Sequence, residues 1–198
     1  MKRIMIFLVC MMCTISLLGE THLMFHTLPI DGNLKTAMKE VKKWGFMGMK
    51  IKNMGVLIGS LDNEDVIVTL IATPQTNTLF SVAVAYEGTE KWEDALAKYH
   101  ALNTQLATQY GAPTEVINQW EAPYSLDNQP ALGIRENKGK YGTAYTTEQG
   151  NVIINIMYMD GKLCPIVTYV DQQNGLLFKS EGGESDLQWD DNAEGVEI

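Results

Sequence analysis

The chain reads as an α+β protein in which antiparallel sheet is covered by two helices. Three observations predict this. Two segments place apolar residues at spacings of three and four, several short runs rich in Val, Ile, Leu, Phe and Tyr lie between and after them, and turn-forming residues separate those runs. Each helical segment is followed by its own set of strand-like runs, the order expected of α+β packing rather than of alternating parallel units.

In the first helical segment, 33–44, Leu34, Ala37, Met38, Val41 and Trp44 share one face; Asn33 can cap its start and Gly45 can end it. Lys35, Lys39, Lys42 and Lys43 fall mostly on the opposite, solvated face. Ahead of this helix, 22–30 reads as extended. Three strands are predicted next, at 55–61, 66–72 and 79–86, joined by Asp62-Asn63-Glu64 and by Thr73-Pro74-Gln75-Thr76-Asn77. In the third of them Phe80, Val82, Val84 and Tyr86 alternate with smaller residues, so the large side is expected to meet a helix.

That helix is predicted at 90–110, where Trp92, Ala95, Leu96, Tyr99, Leu102, Leu106 and Tyr110 form one stripe, with Thr89 as cap and Gly111 and Pro113 as stop. A second strand set follows at 114–121, 131–135, 141–147, 152–159 and 164–170. Turns at Asn137-Lys138-Gly139-Lys140, Gln149-Gly150-Asn151 and Asp160-Gly161 join them, and 121–130 is a loop. The repetition of helix and strands allows a pseudo-duplicated body with halves 22–88 and 89–179.

The ends have a different character. Lys2 and Arg3 lead into the apolar run Ile4 to Leu18, closed by Gly19, which is the layout of a secretory signal peptide over 1–19. About 15 apolar residues fall short of the roughly 20 needed to span a bilayer. Lipid attachment at Cys10 or Cys13 is disfavoured because Val9 and Met12 precede them where small residues are required. From 180 to 198 there are seven acidic residues and no basic one, so an acidic flexible tail is expected.

The whole chain carries 15 basic and 24 acidic residues, a net charge of −9. Loss of 1–19 removes Lys2 and Arg3 and leaves −11 on 179 residues, enough for one domain with a substantial core. Such a field excludes nucleic acid and anionic membrane surfaces as natural partners. Cys164 is then the only thiol, which excludes an internal disulfide framework, and its apolar surroundings read as core.

Motifs of catalysis are missing from the string. His22, His26 and His100 stand in no nucleophile or metal pattern, no glycine-rich phosphate loop or zinc-type cysteine cluster occurs, and the conspicuous carboxylates Asp62, Glu64 and Asp65 occupy a turn. No metal, cofactor or catalytic residue is therefore assigned. The expected role is a secreted or periplasmic binding protein that engages a protein, peptide or envelope component, without stable membrane insertion after signal cleavage. Aromatic anchors dominate such contacts, which selects Trp120 and Tyr124 from the loop and Tyr141 and Tyr145 from the hairpin as candidate contact residues. Two alternatives are a carboxylate-dependent hydrolase of envelope glycans or peptides and a structural or assembly component of the envelope.

The string His22-Leu-Met-Phe-His-Thr-Leu-Pro-Ile-Asp31-Gly32, running into a helix that ends Trp44-Gly45-Phe46, resembles a group of small secreted proteins of Bacteroides and related gut bacteria. Trp92, Tyr99, Tyr110-Gly111-Ala112-Pro113 and the strand Ile166-Val-Thr-Tyr169-Val-Asp171 extend the likeness over most of 22–171. The resemblance implies an exported α+β protein and brings no catalytic residues with it. More distantly, the helix-plus-sheet tandem is similar in outline to the β-lactamase-inhibitor proteins, which bind through a concave sheet surface; that likeness concerns fold alone.

Overall fold

The computed structural model describes residues 21–183, so the signal peptide read at 1–19 and most of the acidic tail lie outside the described residues. The chain is α+β, and its described residues form four helices, a two-stranded ribbon and one antiparallel sheet of eight strands. A ribbon of β1 (Met24–Phe25) and β2 (Leu28–Pro29) leads into α1 (Leu34–Lys43). The meander β3 (Met47–Ile51), β4 (Met54–Leu61), β5 (Glu64–Ala72) and β6 (Leu79–Tyr86) follows. Then come α2 (Trp92–Tyr110), β7 (Glu115–Trp120), α3 (Pro130–Arg135), β8 (Gly139–Thr146), β9 (Gly150–Met159), β10 (Lys162–Asp171) and α4 (Gln172–Ser180).

The spatial strand order is β3-β4-β5-β6-β10-β9-β8-β7. Each half is a helix followed by four strands, and the last strands of the two meanders, β6 and β10, pair antiparallel at the centre with Val84 opposite Val167. The two strand sets therefore join into one sheet, with β3 and β7 as its free edges.

Local chemistry accounts for the helices. Asn33 caps α1 by accepting from the backbone N–H of Lys35 at 2.9 Å, and Leu34, Ala37, Met38 and Val41 are buried against β4 and β5. The lysines of α1 stay in water. Along α2, Trp92, Ala95, Tyr99, Leu102 and Leu106 are buried, and the helix packs mainly on β9 and β10. It begins at Trp92 rather than at Glu90, and Thr89 accepts from the N–H of Lys91 at 3.2 Å. Both helices end at glycines of positive φ, Gly45 and Gly111.

Packing between layers also depends on missing side chains. On β4 a Cβ at Gly59 would stand 2.6 Å from the Phe46 ring, and one at Gly55 would stand 2.8 Å from Met38. These two glycines let α1 and its following turn sit directly on the strand.

Four expectations are corrected. The segment 131–135, read as a strand, is the short helix α3, started by Pro130 at its first turn. The extended lead-in at 22–30 folds back on itself, because His26 at φ +52 turns β1 onto β2. Residues 180–183, read as the start of a free tail, are bound to the body: the Glu181 carboxylate accepts from the backbone N–H groups of Gln75 at 2.6 Å and Thr76 at 3.2 Å, and from the Thr76 hydroxyl at 2.6 Å. Those bonds outweigh burial, and they hold the Glu181 carboxyl below the usual carboxylate range.

Finally, a register shift between Ile71 and Ala72 breaks the alternation expected along β6. Leu79, Val82 and Val84 enter the core beneath the helices, whereas Phe80 stacks on Phe178 of α4 with ring centroids 4.1 Å apart.

Candidate functional site

The residue pairings sort the sheet into two faces. Leu57, Val68, Val84, Val167 and Ile154 belong to the core that α1 and α2 cover. Their neighbours in each strand point the other way. One row across that second face runs Met47, Ile58, Ile67, Ala85, Ile166, Asn155, Gly142 and Ile117. The next row is Met49, Val56, Thr69, Ala83, Thr168, Ile153, Ala144 and Glu115, and a third is Ile51, Met54, Ile71, Ser81, Val170, Asn151 and Thr146. On a chain of net charge −9, these rows contain a single ionisable side chain, Glu115, at the far edge.

Exposure divides this face. On β3, β4 and β5 the apolar side chains stand in solvent: Met47 is 77% exposed and Ile58 61%, with Met49, Ile51, Met54 and Ile67 also exposed. On β7 to β10 the residues of these rows are mostly buried, Ile117 at 1% and Ile153 at 5%, although Met157 and Met159 at the end of β9 stand exposed on the same face. The helix α4 meets this face at the β6 and β10 ends, where Phe178 lies on Phe80. A cluster of large apolar side chains in water, without charges among them, is the feature that marks interaction sites on folded proteins.

The four aromatics selected from the sequence lie elsewhere. Tyr145 is 1% exposed, and its hydroxyl donates to the Asn103 side-chain oxygen at 2.8 Å beneath α2; it is a core residue and no contact. Tyr141 is half-buried, with its ring 5.0 Å from Tyr99 and 5.7 Å from Trp92, centroid to centroid. Trp120, also half-buried, meets Trp92 edge-on at 6.2 Å and covers Gly133 and Gly139. Tyr124 donates to Glu136 at 2.7 Å and has the Lys138 ammonium over its ring at 5.7 Å. Trp120, Tyr141 and Tyr145 alternate out of the uncovered face and onto the helix-covered one, where their rings fill space around α2 and α3. Alternation within the hairpin does not reveal which side the helix will take, and that choice decides their role.

A signal for the exposed face was present. The run Val66 to Ala72 is apolar on both parities, and an antiparallel strand covered by helices on one side needs only one apolar face. The edge β3 carries Met47, Met49 and Ile51 on a Gly- and Met-containing stretch of weak strand propensity, and the strand itself escaped prediction.

Titratable groups gather in two other places. Asp171, fully buried, caps α4 by accepting from the Asn174 N–H at 2.9 Å, and it also accepts from the Leu23 N–H at 2.8 Å. His22 Nδ1 lies 3.2 Å from both of its oxygens, within hydrogen-bond distance. His22 Nε2 is 3.7 Å from Asp31, whose oxygen also accepts from Asn174 at 3.0 Å. Burial pushes the Asp31 carboxyl upward, but hydrogen bonds from Gly32 and Asn174 and the charge of His22 outweigh it, so the carboxyl sits below its ordinary value. Every donor in this latch is spent on holding β1 and α4 to β10.

The second place is an open cleft of about 870 Å³ at the β4–β5 turn, lined by Glu64, Asp65, Glu87, Glu90, Asp94 and Lys98 among others. Lys98 pairs with Glu64 and lies 4.8 Å over the Tyr86 ring. Its lining includes no histidine, serine or cysteine. Among the described residues no group of three His, Cys, Asp or Glu side chains converges at metal-binding distance. The carboxyls of Asp31 and Glu181 both move down, whereas a general acid near neutral pH needs the opposite direction.

Cys164 lies on the uncovered face, half-buried next to Gly88; burial first, then the charge of Asp160, raise its thiol against the pull of Lys162. A raised thiol is the unreactive direction. No family model, curated protein or solved structure matches the chain.

Proposed function

We propose that this chain is an exported, non-catalytic binding protein that holds an apolar segment of a protein, peptide or envelope component against the uncovered sheet face over β3, β4 and β5. One observation carries the reading: Met47, Met49, Ile51, Met54, Ile58 and Ile67 stand exposed, side by side and uncharged, on a strongly acidic protein. Methionine suits such a surface because its unbranched, polarisable side chain adapts to varied partners. The leader over 1–19 and the resemblance to secreted proteins of gut bacteria support export. The latch at Asp171 supports a structural role for His22, the one histidine with carboxylate partners among the described residues.

The test compares the protein with an Ile58→Lys, Ile67→Lys double variant, each immobilised and offered an envelope extract. Components retained by the parent and reduced at least tenfold on the variant are expected. The reading falls if the parent retains nothing specific, or if the variant retains the same set.

A further inference from the structure

The edge strand β3 points to a partner that the binding reading does not need. We propose that two copies of this chain pair β3 against β3 in antiparallel fashion, joining their sheets into one continuous sheet of sixteen strands. Among the described residues no strand pairs with either edge of the eight-stranded sheet, but the two edges differ in dress. On the uncovered face β7 presents Glu115, Ile117 and Gln119, with Ile117 already buried. There β3 presents Met47, Met49 and Ile51, all exposed.

The sequence of β3 is its own complement. An antiparallel pair centred on Met49 sets Met49 against its symmetry mate, Met47 against Ile51 of the second copy, and Gly48 against Lys50. Apolar residues then face apolar ones on one side of the ribbon. On the other side each lysine faces a glycine, so like charges never stand directly opposite. Lys50 is the only charged residue on β3, and its ammonium already donates to Asn77 at 3.2 Å. Two bodies of net charge −9 thus approach through a strip that carries no acidic group.

Edge-to-edge pairing of one five-residue strand buries less than the roughly 800 Å² per partner of a standard stable interface. A weak, reversible dimer is therefore expected. A single lysine is also a thin defence for an exposed edge, which proteins that stay monomeric usually protect more heavily. The pairing places two copies of the β4–β5 binding surface side by side on one continuous face.

Sedimentation equilibrium of the purified protein from a few micromolar to several hundred micromolar should show a monomer–dimer equilibrium. Met49→Lys, at an exposed position where folding is unaffected, should weaken it at least tenfold by setting two lysines face to face. A Met49→Cys variant in a Cys164→Ser background should form an intermolecular disulfide quantitatively under oxidised glutathione, whereas Ile67→Cys in the same background should not. A parent that stays monomeric throughout the range overturns the proposal, as does a dimer that is indifferent to Met49→Lys and fails to cross-link through position 49. None of these readouts involves a ligand, so they separate failure of the dimer from failure of the binding reading.

Discussion

The two halves of the sheet repeat one plan and treat their outer faces in opposite ways. In both, a helix precedes four antiparallel strands, and the face below the helix is closed by aliphatic side chains, Leu57, Val68 and Val84 in the first half and Ile154, Val152 and Val167 in the second. On the far face, β7 to β10 bury Ile117, Ala144, Ile153 and Ile166, while β3 to β5 leave Met47, Met49, Ile58 and Ile67 in water. One architecture therefore supplies a largely closed half and a presenting half. The difference lies in side-chain environment and not in strand order, which is why topology alone does not locate the site.

The largest effect should come from the point that ties the halves together at the ends. Asp171→Ala leaves the buried N–H groups of Leu23 and Asn174 without acceptors and removes the partner of His22. Loss of about 3–5 kcal/mol in urea unfolding is expected. A cost below about 1 kcal/mol would mean that the latch does not join the halves.

Next, the contrast between outer faces has a direct measure. Ile153→Ala, at a buried position, should cost about 2–4 kcal/mol, whereas Ile67→Ala on the exposed side should cost less than about 1 kcal/mol. Equal costs would erase the distinction between a closed half and an open one.

Smaller is the difference between the two covering helices. Apolar packing through Leu34, Ala37, Met38 and Val41 holds α1, while α2 adds a hydrogen bond between the buried Tyr99 hydroxyl and Thr143 at 2.5 Å. Tyr99→Phe should cost about 1 kcal/mol by the same unfolding measurement. No change in the urea midpoint would show that this hydrogen bond adds nothing to the packing that holds α2.

A further test uses alkali and spans both halves. Burial, reinforced by the charges of Glu64 and Asp62, pushes the Tyr86 hydroxyl up to about 12. Burial likewise raises Tyr99 to about 12, against the opposing hydrogen bond from Thr143. Unfolded tyrosine ionises near pH 10, so the neutral forms stabilise the folded chain fully below about pH 10, and that contribution is lost as pH rises through about 12. Urea midpoints should hold steady up to about pH 9.5 and then fall; a flat profile to pH 12 would contradict the burial of both rings.

Much of this molecule was legible from local pattern. The stripe Leu34, Ala37, Met38, Val41 and the longer one from Trp92 to Leu106 specify helices with a single buried face, because three- and four-residue spacing leaves one side apolar whatever the surroundings. The strands of the two meanders were legible for the same reason, through period two and turn residues. Where local signals are weak or shared, reading fails. Pro130 to Arg135 is too short for its apolar residues to distinguish helix from strand, and Met47 to Ile51 has a glycine and a lysine where strands favour branched residues. The start of α4 was written in Asp171, a capping residue, but Gly175 interrupts the helical pattern after it.

By itself, then, the amino-acid order determined the covering helices, most strands and the charge that surrounds them, since each depends on interactions within a few residues. Only tertiary structure decided that β6 and β10 fuse two meanders into one sheet, that Trp120, Tyr141 and Tyr145 turn inward, and that methionines and isoleucines of β3 to β5 turn out. A strand's alternation creates two faces without naming them. The side on which a distant helix packs makes one face core and the other surface, and no residue within the strand carries that information.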